Sequence, residues 1–232
     1  MINSPSIAEE KIRIPAIGQD LEGVLAYPEQ GEPQSTVLLL APHPHLGGNM
    51  ENNLIRHLAQ RFAEEGSATL RFNYRGVGRS AIELPSGVSL FDYWAQLERK
   101  KQYGELLPDA EAAHSFLNQA LPVVKKNILI GYSLGAILAL QLADIVDATH
   151  VVGISPPVLK VPNMPFARKS KASFLYVGGE PDFAFDPDVL ESMMEASECN
   201  APLKRLRDCD HFFRQREEEV YQCLAEWSKE TP

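Results

Sequence analysis

Short apolar runs alternate along this chain with segments whose apolar residues recur every three or four positions. The run at 35–42 is almost continuously apolar, which is typical of a strand buried on both faces of a parallel sheet. At 51–65 the apolar residues have helical spacing. Two runs at 11–17 and 21–27 flank Gly18 and predict an antiparallel strand pair. The same patterns predict strands at 68–74, 126–132, 150–155, 173–177 and 203–207, and helices at 109–120, 133–142, 187–198 and 214–229.

Strands that alternate with helices predict an α/β fold, with a mostly parallel twisted sheet covered by helices on both faces. We expect a single domain over residues 1–232 with little or no cap domain. Two segments, 81–102 and 156–171, interrupt the alternation and are expected to be surface excursions over the strand ends. The first holds an aromatic cluster, Phe91–Trp94, without a clean period. Core or lid packing is its simplest interpretation, with a pocket wall or a dimer contact as alternatives.

The charge balance excludes some classes of partner. The 232 residues carry 22 Lys and Arg against 31 Asp and Glu, a formal net charge of −9. Nucleic acids and anionic membrane surfaces are bound mainly by clustered cations, so neither is expected here. The basic clusters at 99–101 and 168–171 are short and are interpreted as solvated faces. A small molecule is the expected partner, and both a monomer and a homodimer stay open.

The segment at 1–11 is polar and no run approaches ~18 apolar residues, so neither a signal peptide nor a membrane span is expected. Cys199, Cys209 and Cys223 form no CxxC motif. These features predict reduced thiols in a cytoplasmic protein. No cofactor is expected.

A G-x-S-x-G motif, Gly131-Tyr132-Ser133-Leu134-Gly135, lies between a predicted strand and an apolar helix. A serine at such a sharp turn is raised above the sheet, and glycines are needed where neighbouring backbones approach closely. The helix that follows directs its free N–H groups and its positive dipole end at charge that develops on a bound oxygen. The motif therefore makes Ser133 a candidate nucleophile, although a plain helix N-cap is the alternative.

A serine nucleophile needs a base, and the base needs a group that orients it. Asp182 and His211 follow later predicted strands, and the order Ser133…Asp182…His211 is the one expected of an α/β-hydrolase. Glu180 and Asp186 compete with Asp182 in the same loop. Asp186 precedes a proline and fits better as a helix N-cap. His211 is flanked by Asp208 and Asp210, so a solvated acidic loop is the alternative to a catalytic role for this segment.

The chain resembles the α/β-hydrolase superfamily, and within it small bacterial dienelactone-hydrolase-like serine hydrolases. The stretches that carry this resemblance span residues 36–213 and read PHPHLGGNMENN, ATLRFNYRGVGRS, ILIGYSLGA, YVGGEPD and DCDHFF. The resemblance implies Ser133 as nucleophile, Asp182 as acid and His211 as base. It also implies that the backbone N–H groups of His45 and Leu134 form the oxyanion hole.

The chain departs from that pattern in three places. A double His-Pro pair in relatives reads Ala41-Pro42-His43-Pro44 here, so one histidine is missing. The segment 81–102 is interpreted as an insertion. Dienelactone hydrolases use a cysteine nucleophile, so their substrate is not carried over to a chain with Ser133. His43 and His45 could form a metal-binding H-x-H, but no second ligand cluster accompanies them, and no metal is expected. The histidines at 57, 114 and 150 are interpreted as structural or solvated.

The expected function is hydrolysis of carboxylic esters by a Ser-His-Asp acyl-enzyme mechanism. The short segment at 156–171 suggests an open site for small or short-chain esters. A thioesterase or acyltransferase with the same residues is the alternative, and a basic patch could then serve an acyl-CoA donor; its candidate members are Arg75, Arg79, Arg168, Lys169 and Lys171. A non-catalytic binding module with this fold is the alternative from another class.

Overall fold

A computed structural model of the protein describes residues 6–16, 18–121, 124–167 and 169–231. Within them, eight strands form one sheet; the strands are β1 (Ile7–Ala16), β2 (Gln19–Pro28), β3 (Ser35–Leu40), β4 (Ser67–Phe72), β5 (Lys126–Tyr132), β6 (His150–Ile154), β7 (Ser173–Glu180) and β8 (Leu203–Arg207). The helices are α1 (Asn53–Glu64), α2 (Leu90–Lys100), α3 (Leu107–Ala120), α4 (Leu134–Ala143), α5 (Pro187–Ala196) and α6 (Glu217–Glu230). Residues 1–5, Ile17 and Arg168, which the sequence analysis included, lie outside the described residues.

The sheet has the order β1-β2-β4-β3-β5-β6-β7-β8. β1 pairs antiparallel with β2, and β2 pairs antiparallel with β4. Every other pair is parallel. Helices α1 and α6 contact each other on one face, and α3 and α4 contact each other on the opposite face. The predicted α/β fold, with its antiparallel N-terminal strand pair and helices on both faces, is confirmed.

The centre of the sheet is buried on both sides. All residues of β4 and β6 are buried, and in β3 every residue after Ser35 is buried. Helix α4 is buried along its whole length apart from Gln141. This is the expected consequence of apolar residues at nearly every position, since a helix without a polar face must be enclosed. Residues 128–132 of β5 and 175–179 of β7 are buried as well, so the strand ends that precede Ser133 and Asp182 belong to this core.

The two excursions differ from each other. The first contains α2, whose start is closed by a capping box between Ser89 and Asp92. The sequence pattern missed this helix because only Trp94 and Leu97 on it are buried, which is too few for a visible period. A 3₁₀ turn at Tyr103–Leu106 then leads into α3. The second excursion has no helix or strand among its described residues. No helix in the described part of the chain is long and apolar enough to cross a membrane.

Candidate active site

Ser133 occupies the single-residue turn between β5 and α4. Its backbone has φ 54° and ψ −112°, a conformation that costs about 1–3 kcal/mol in a non-glycine residue. A Cβ at Gly131 would lie 2.0 Å from the Gly135 carbonyl oxygen, and a Cβ at Gly135 would lie 2.0 Å from that of Leu40. Both motif glycines are therefore required by close backbone approach, and Ser133 is held at the carboxyl end of the sheet.

Asp182 lies in the loop after β7. Its Oδ1 accepts hydrogen bonds from the backbone N–H groups of Ala184 at 2.8 Å and Phe185 at 3.0 Å. The side chain is completely buried. The competing carboxylates point elsewhere: Glu180 pairs with Arg205 at 3.8 Å, and Asp186 caps α5.

His211 joins Ser133 to Asp182. Its Nδ1 lies 2.7 Å from Oδ2 of Asp182, and its Nε2 lies 3.2 Å from Oγ of Ser133. Because a carboxylate only accepts hydrogen bonds, the ring proton is assigned to Nδ1, which leaves Nε2 as the acceptor for the serine hydroxyl. Ser133 and His211 are 4% and 2% exposed. We call this arrangement the Ser–His–Asp chain.

The loop around His211 is held from the nucleophile's own strand. The hydroxyl of Tyr132 donates a hydrogen bond to the carbonyl oxygen of His211. The ring of Phe183 lies 4.7 Å from the His211 ring, between centroids. Asp210 is exposed, and its carboxylate accepts the backbone N–H of Phe212 at 2.9 Å, which stabilises the turn beside His211.

A pocket of about 250 Å³ opens beside Ser133. Two of its wall residues, Leu46 and Phe183, are large apolar side chains that are about half exposed. The lining residues are His43, His45, Leu46, Glu98, Tyr103, Ser133, Leu134, Pro157, Lys160, Phe183 and Ala184. The wall is thus largely apolar, with one carboxylate and one ammonium group.

The two residues expected to form an oxyanion hole both line this pocket. Leu134 is the first residue of α4, so no carbonyl of its own helix accepts its N–H. His45 lies in a 3₁₀ turn, Pro44–Leu46, and its N–H donates to Nδ1 of His43 at 3.2 Å. This second N–H therefore has a protein partner already, a pairing that the sequence analysis did not predict.

A profile of the dienelactone hydrolase family matches residues 21–229 of the chain. The chain belongs to this family. It is thus an enzyme of the α/β-hydrolase type. Its G-x-S-x-G motif forms the turn between β5 and α4, with Ser133 at that turn. The resemblance stated from the sequence motifs is confirmed.

Three other proteins are similar in sequence or in fold to this dienelactone hydrolase family member. An uncharacterized protein of Rickettsia prowazekii is 28% identical over 198 residues, which cover 82% of this chain and 76% of that protein. An α/β serine hydrolase without a lid from Xanthomonas campestris is similar in structure, with a TM-score of 0.77, 21% identity and coverage of 97% and 95%. An α/β serine hydrolase homologue from Coxiella burnetii has a TM-score of 0.73, 23% identity and coverage of 94% and 96%.

His43 and Glu98 form a second polar cluster in this family member's pocket. Nε2 of His43 lies 3.6 Å from Oε2 of Glu98. Burial lowers the pKa of His43 to about 4, against the opposing effect of the Glu98 charge. Glu98 also accepts hydrogen bonds from the Tyr103 hydroxyl and the Lys101 ammonium group. Sequence reasoning missed this cluster. The one signal for it along the chain is that Glu98 and its hydrogen-bond donor Tyr103 lie only a few positions apart.

The H-x-H pair has no metal-binding geometry. No group of three or more His, Cys, Asp or Glu side chains in the described ranges is arranged to hold a metal ion. The other histidines lie away from the pocket. His57 contacts Glu218 at 2.9 Å, the Nε2 of His114 lies 2.8 Å from the amide of Asn127, and His150 packs against Trp227.

Proposed function

We propose that this protein hydrolyses small carboxylic esters by acyl transfer through Ser133. One observation carries the proposal: Oγ of Ser133, the imidazole of His211 and the carboxylate of Asp182 are joined in order by contacts of 3.2 and 2.7 Å. An isolated serine hydroxyl is a weak nucleophile, and a base oriented in this way activates it.

In the first half-reaction, Nε2 of His211 takes the hydroxyl proton while Oγ of Ser133 attacks the ester carbonyl. The imidazolium that forms is stabilised by Asp182, and the N–H groups of Leu134 and His45 hold the oxyanion. Collapse breaks the ester bond, and His211 gives its proton to the departing alcohol. Water then attacks the acyl-enzyme with His211 again as base, which releases the acid and restores Ser133.

Preorganisation of the acid supports this mechanism. Asp182 receives two backbone N–H groups on Oδ1, which fix the carboxylate before the imidazole becomes charged. Dipoles that are oriented before the reaction need no reorganisation when charge develops.

The pocket size argues for a small acyl group. A cavity of roughly 150 Å³ holds one benzene ring, so the pocket of about 250 Å³ suits a short aliphatic acyl group or a single substituted ring. Leu46 and Phe183 at its edge offer apolar surface to such a group. An acyl chain of about twelve carbons would extend beyond the pocket into solvent, which removes the gain from its burial.

Intact mass after exposure to a fluorophosphonate tests the proposal directly. The wild-type protein should gain one adduct and Ser133→Ala none, while Ser192→Ala, a serine change on the exposed surface of α5, should label like the wild type. Nitrophenyl esters of increasing acyl length should then show falling kcat/KM beyond the medium-chain range. A folded wild type that takes no adduct would favour the binding-module alternative.

The thioesterase alternative has weaker support. Arg75, a candidate member of the basic patch, forms an ion pair with Asp109, whose Oδ1 accepts a hydrogen bond from Nη2 at 2.6 Å. The Asp109 side chain is completely buried. Arg75 is therefore not free for a phosphate of an acyl-CoA donor. Matched esters and thioesters of the same acid decide this question, and we expect the ester to have the higher kcat/KM.

A further inference from the structure

The two ring nitrogens of His43 face different neighbours. Nδ1 accepts the N–H of His45 at 3.2 Å, and Nε2 is completely buried without a hydrogen-bond partner among the described residues. A nitrogen that accepts a hydrogen bond carries no proton, so the proton of the neutral ring is on Nε2. That N–H faces the Glu98 carboxylate, whose Oε2 is 3.6 Å away.

From this geometry we infer that Glu98 and His43 are positioning residues for the oxyanion-binding N–H of His45. The inference rests on the ester hydrolysis proposed above. Glu98 favours the tautomer of His43 with its proton on Nε2, and this tautomer keeps Nδ1 as an acceptor. The acceptor in turn fixes the peptide plane of His45 at the pocket wall. A carboxylate that sets the tautomer of a histidine is a familiar arrangement around metal ligands and catalytic bases.

The carboxylate is itself fixed by its surroundings. Tyr103 and Lys101 each donate a hydrogen bond to one of its oxygens. Glu98 is therefore held as a charged acceptor that faces His43 from the last turns of α2, and side-chain interactions with its donors lower its pKa despite partial burial.

The same face of α2 covers the rest of the loop. Phe91 and Trp94 precede Glu98 by seven and four residues, which places all three on one side of the helix. The ring of Phe91 stacks on His45 at 5.1 Å, and that of Trp94 meets His43 edge-on at 5.5 Å. The segment that the sequence marks as an insertion thus supports the loop between β3 and α1.

One N–H can serve both His43 and the substrate. The contact to His43, at 3.2 Å, is at the upper end of the normal hydrogen-bond range and joins two neutral groups, so it is weak. A charged oxyanion is a much stronger acceptor than a neutral imidazole. With its peptide plane held in place, the N–H therefore interacts more strongly with the substrate oxygen as charge develops, which favours the transition state over the ground state.

Kinetics of Glu98→Gln against Glu83→Gln test the inference. Glu83 is an exposed carboxylate of the same segment, so its variant is the matched control. We expect kcat of Glu98→Gln to fall about tenfold with KM within about twofold, since loss of a complete oxyanion donor costs about 10²–10³. Glu83→Gln should match the wild type. Equal kcat in both variants would overturn the inference.

A second pair of variants separates the acceptor from the bulk of the ring. In His43→Asn the amide oxygen takes the position of Nδ1, whereas in His43→Gln the amide lies near the position of Nε2. We expect kcat of His43→Asn within about fivefold of the wild type and that of His43→Gln lower by about 10²-fold, at similar thermal midpoints. Equal kcat values in the two folded variants would overturn the inference.

Nitrogen NMR of histidine-labelled protein reads the tautomer directly. In the wild type, His43 should show a protonated Nε2 and an unprotonated Nδ1, and Glu98→Gln should show a mixture. An unchanged tautomer in Glu98→Gln would overturn the inference. A wild type that neither takes a fluorophosphonate nor turns over esters would overturn the proposed function instead, and the inference with it, so the two failures are distinguishable.

Discussion

Replacement of Asp182 by asparagine should disable His211 without disturbing the fold. Oδ1 of Asp182 accepts two backbone N–H groups, so an asparagine must place its oxygen there to avoid two donors facing each other. Its amide nitrogen then faces Nδ1 of His211, which lies 2.7 Å from Oδ2 in the wild type. The remaining oxygen, 2.9 Å from Nδ1, already accepts two backbone N–H groups, so a donor at the nearer position favours the tautomer in which Nδ1 accepts and the ring proton is on Nε2.

The wrong tautomer removes the base. With its proton on Nε2, His211 cannot accept the hydroxyl proton of Ser133 across their 3.2 Å contact. The corresponding change in another Ser-His-Asp enzyme costs about 10⁴ in kcat. We therefore expect kcat to fall about 10³–10⁴-fold, which corresponds to about 4–5.5 kcal/mol of transition-state stabilisation. KM should change little, because Asp182 does not line the substrate pocket.

Steady-state hydrolysis of a nitrophenyl acetate, with the thermal midpoint measured in parallel, is the assay. Asp186→Asn is the matched control: this residue caps α5 through its Oδ1, and asparagine caps a helix as well as aspartate. That variant should keep wild-type activity and stability. An Asp182→Asn enzyme within tenfold of the wild type would refute the tautomer argument and assign the orienting role to another group.

Three further predictions concern stability. Gly135→Ala should lower the free energy of unfolding by about 3 kcal/mol or more, on the order of the strongest overpacking effects, since its Cβ would lie 2.0 Å from the Leu40 carbonyl oxygen; urea unfolding measures this. Arg75→Met should cost about 3–5 kcal/mol by the same assay, because it leaves the buried Asp109 carboxylate without its charged partner. Burial lowers the pKa of His43 to about 4 in the folded protein, whereas the same ring in the unfolded chain has a pKa of about 6.5. As the pH falls below about 6.5, the unfolded chain therefore binds a proton that the folded protein does not. Stability should therefore drop by about 2 kcal/mol between pH 8 and pH 5 on account of this ring, and His43→Asn should lose less over that interval.

The sheet and the nucleophile turn could be predicted from the sequence because both are specified locally. Continuous apolar runs mark β3 to β7, and the steric demands of the G-x-S-x-G turn involve residues within a few positions or on the adjacent strand. The pairing of Asp182, rather than Glu180, with His211 could be favoured from the sequence but could not be decided there. Three carboxylates share one loop, and only the structure shows which of them turns inward.

The His43–Glu98 contact could not be predicted, for physical reasons. It joins residues 55 positions apart, and it depends on α2, a helix with too few buried residues to produce a period. The pairing of the His45 N–H depends in addition on the rotamer of one side chain. Such contacts follow from tertiary packing, which a pattern along the chain does not record.

Tyr132, the residue before the nucleophile, connects the strand that precedes Ser133 with the loop that carries His211. Tyr132 ends β5, and its side chain is almost completely buried beneath His211, with ring centroids 5.5 Å apart. Burial raises the pKa of its hydroxyl, so the group stays a neutral donor to the His211 carbonyl oxygen. The strand that sets the position of Ser133 therefore also sets the backbone of the base, and neither depends on α2. The Ser–His–Asp chain should for this reason keep its geometry in variants of α2, whose changes then act on the oxyanion-binding loop alone.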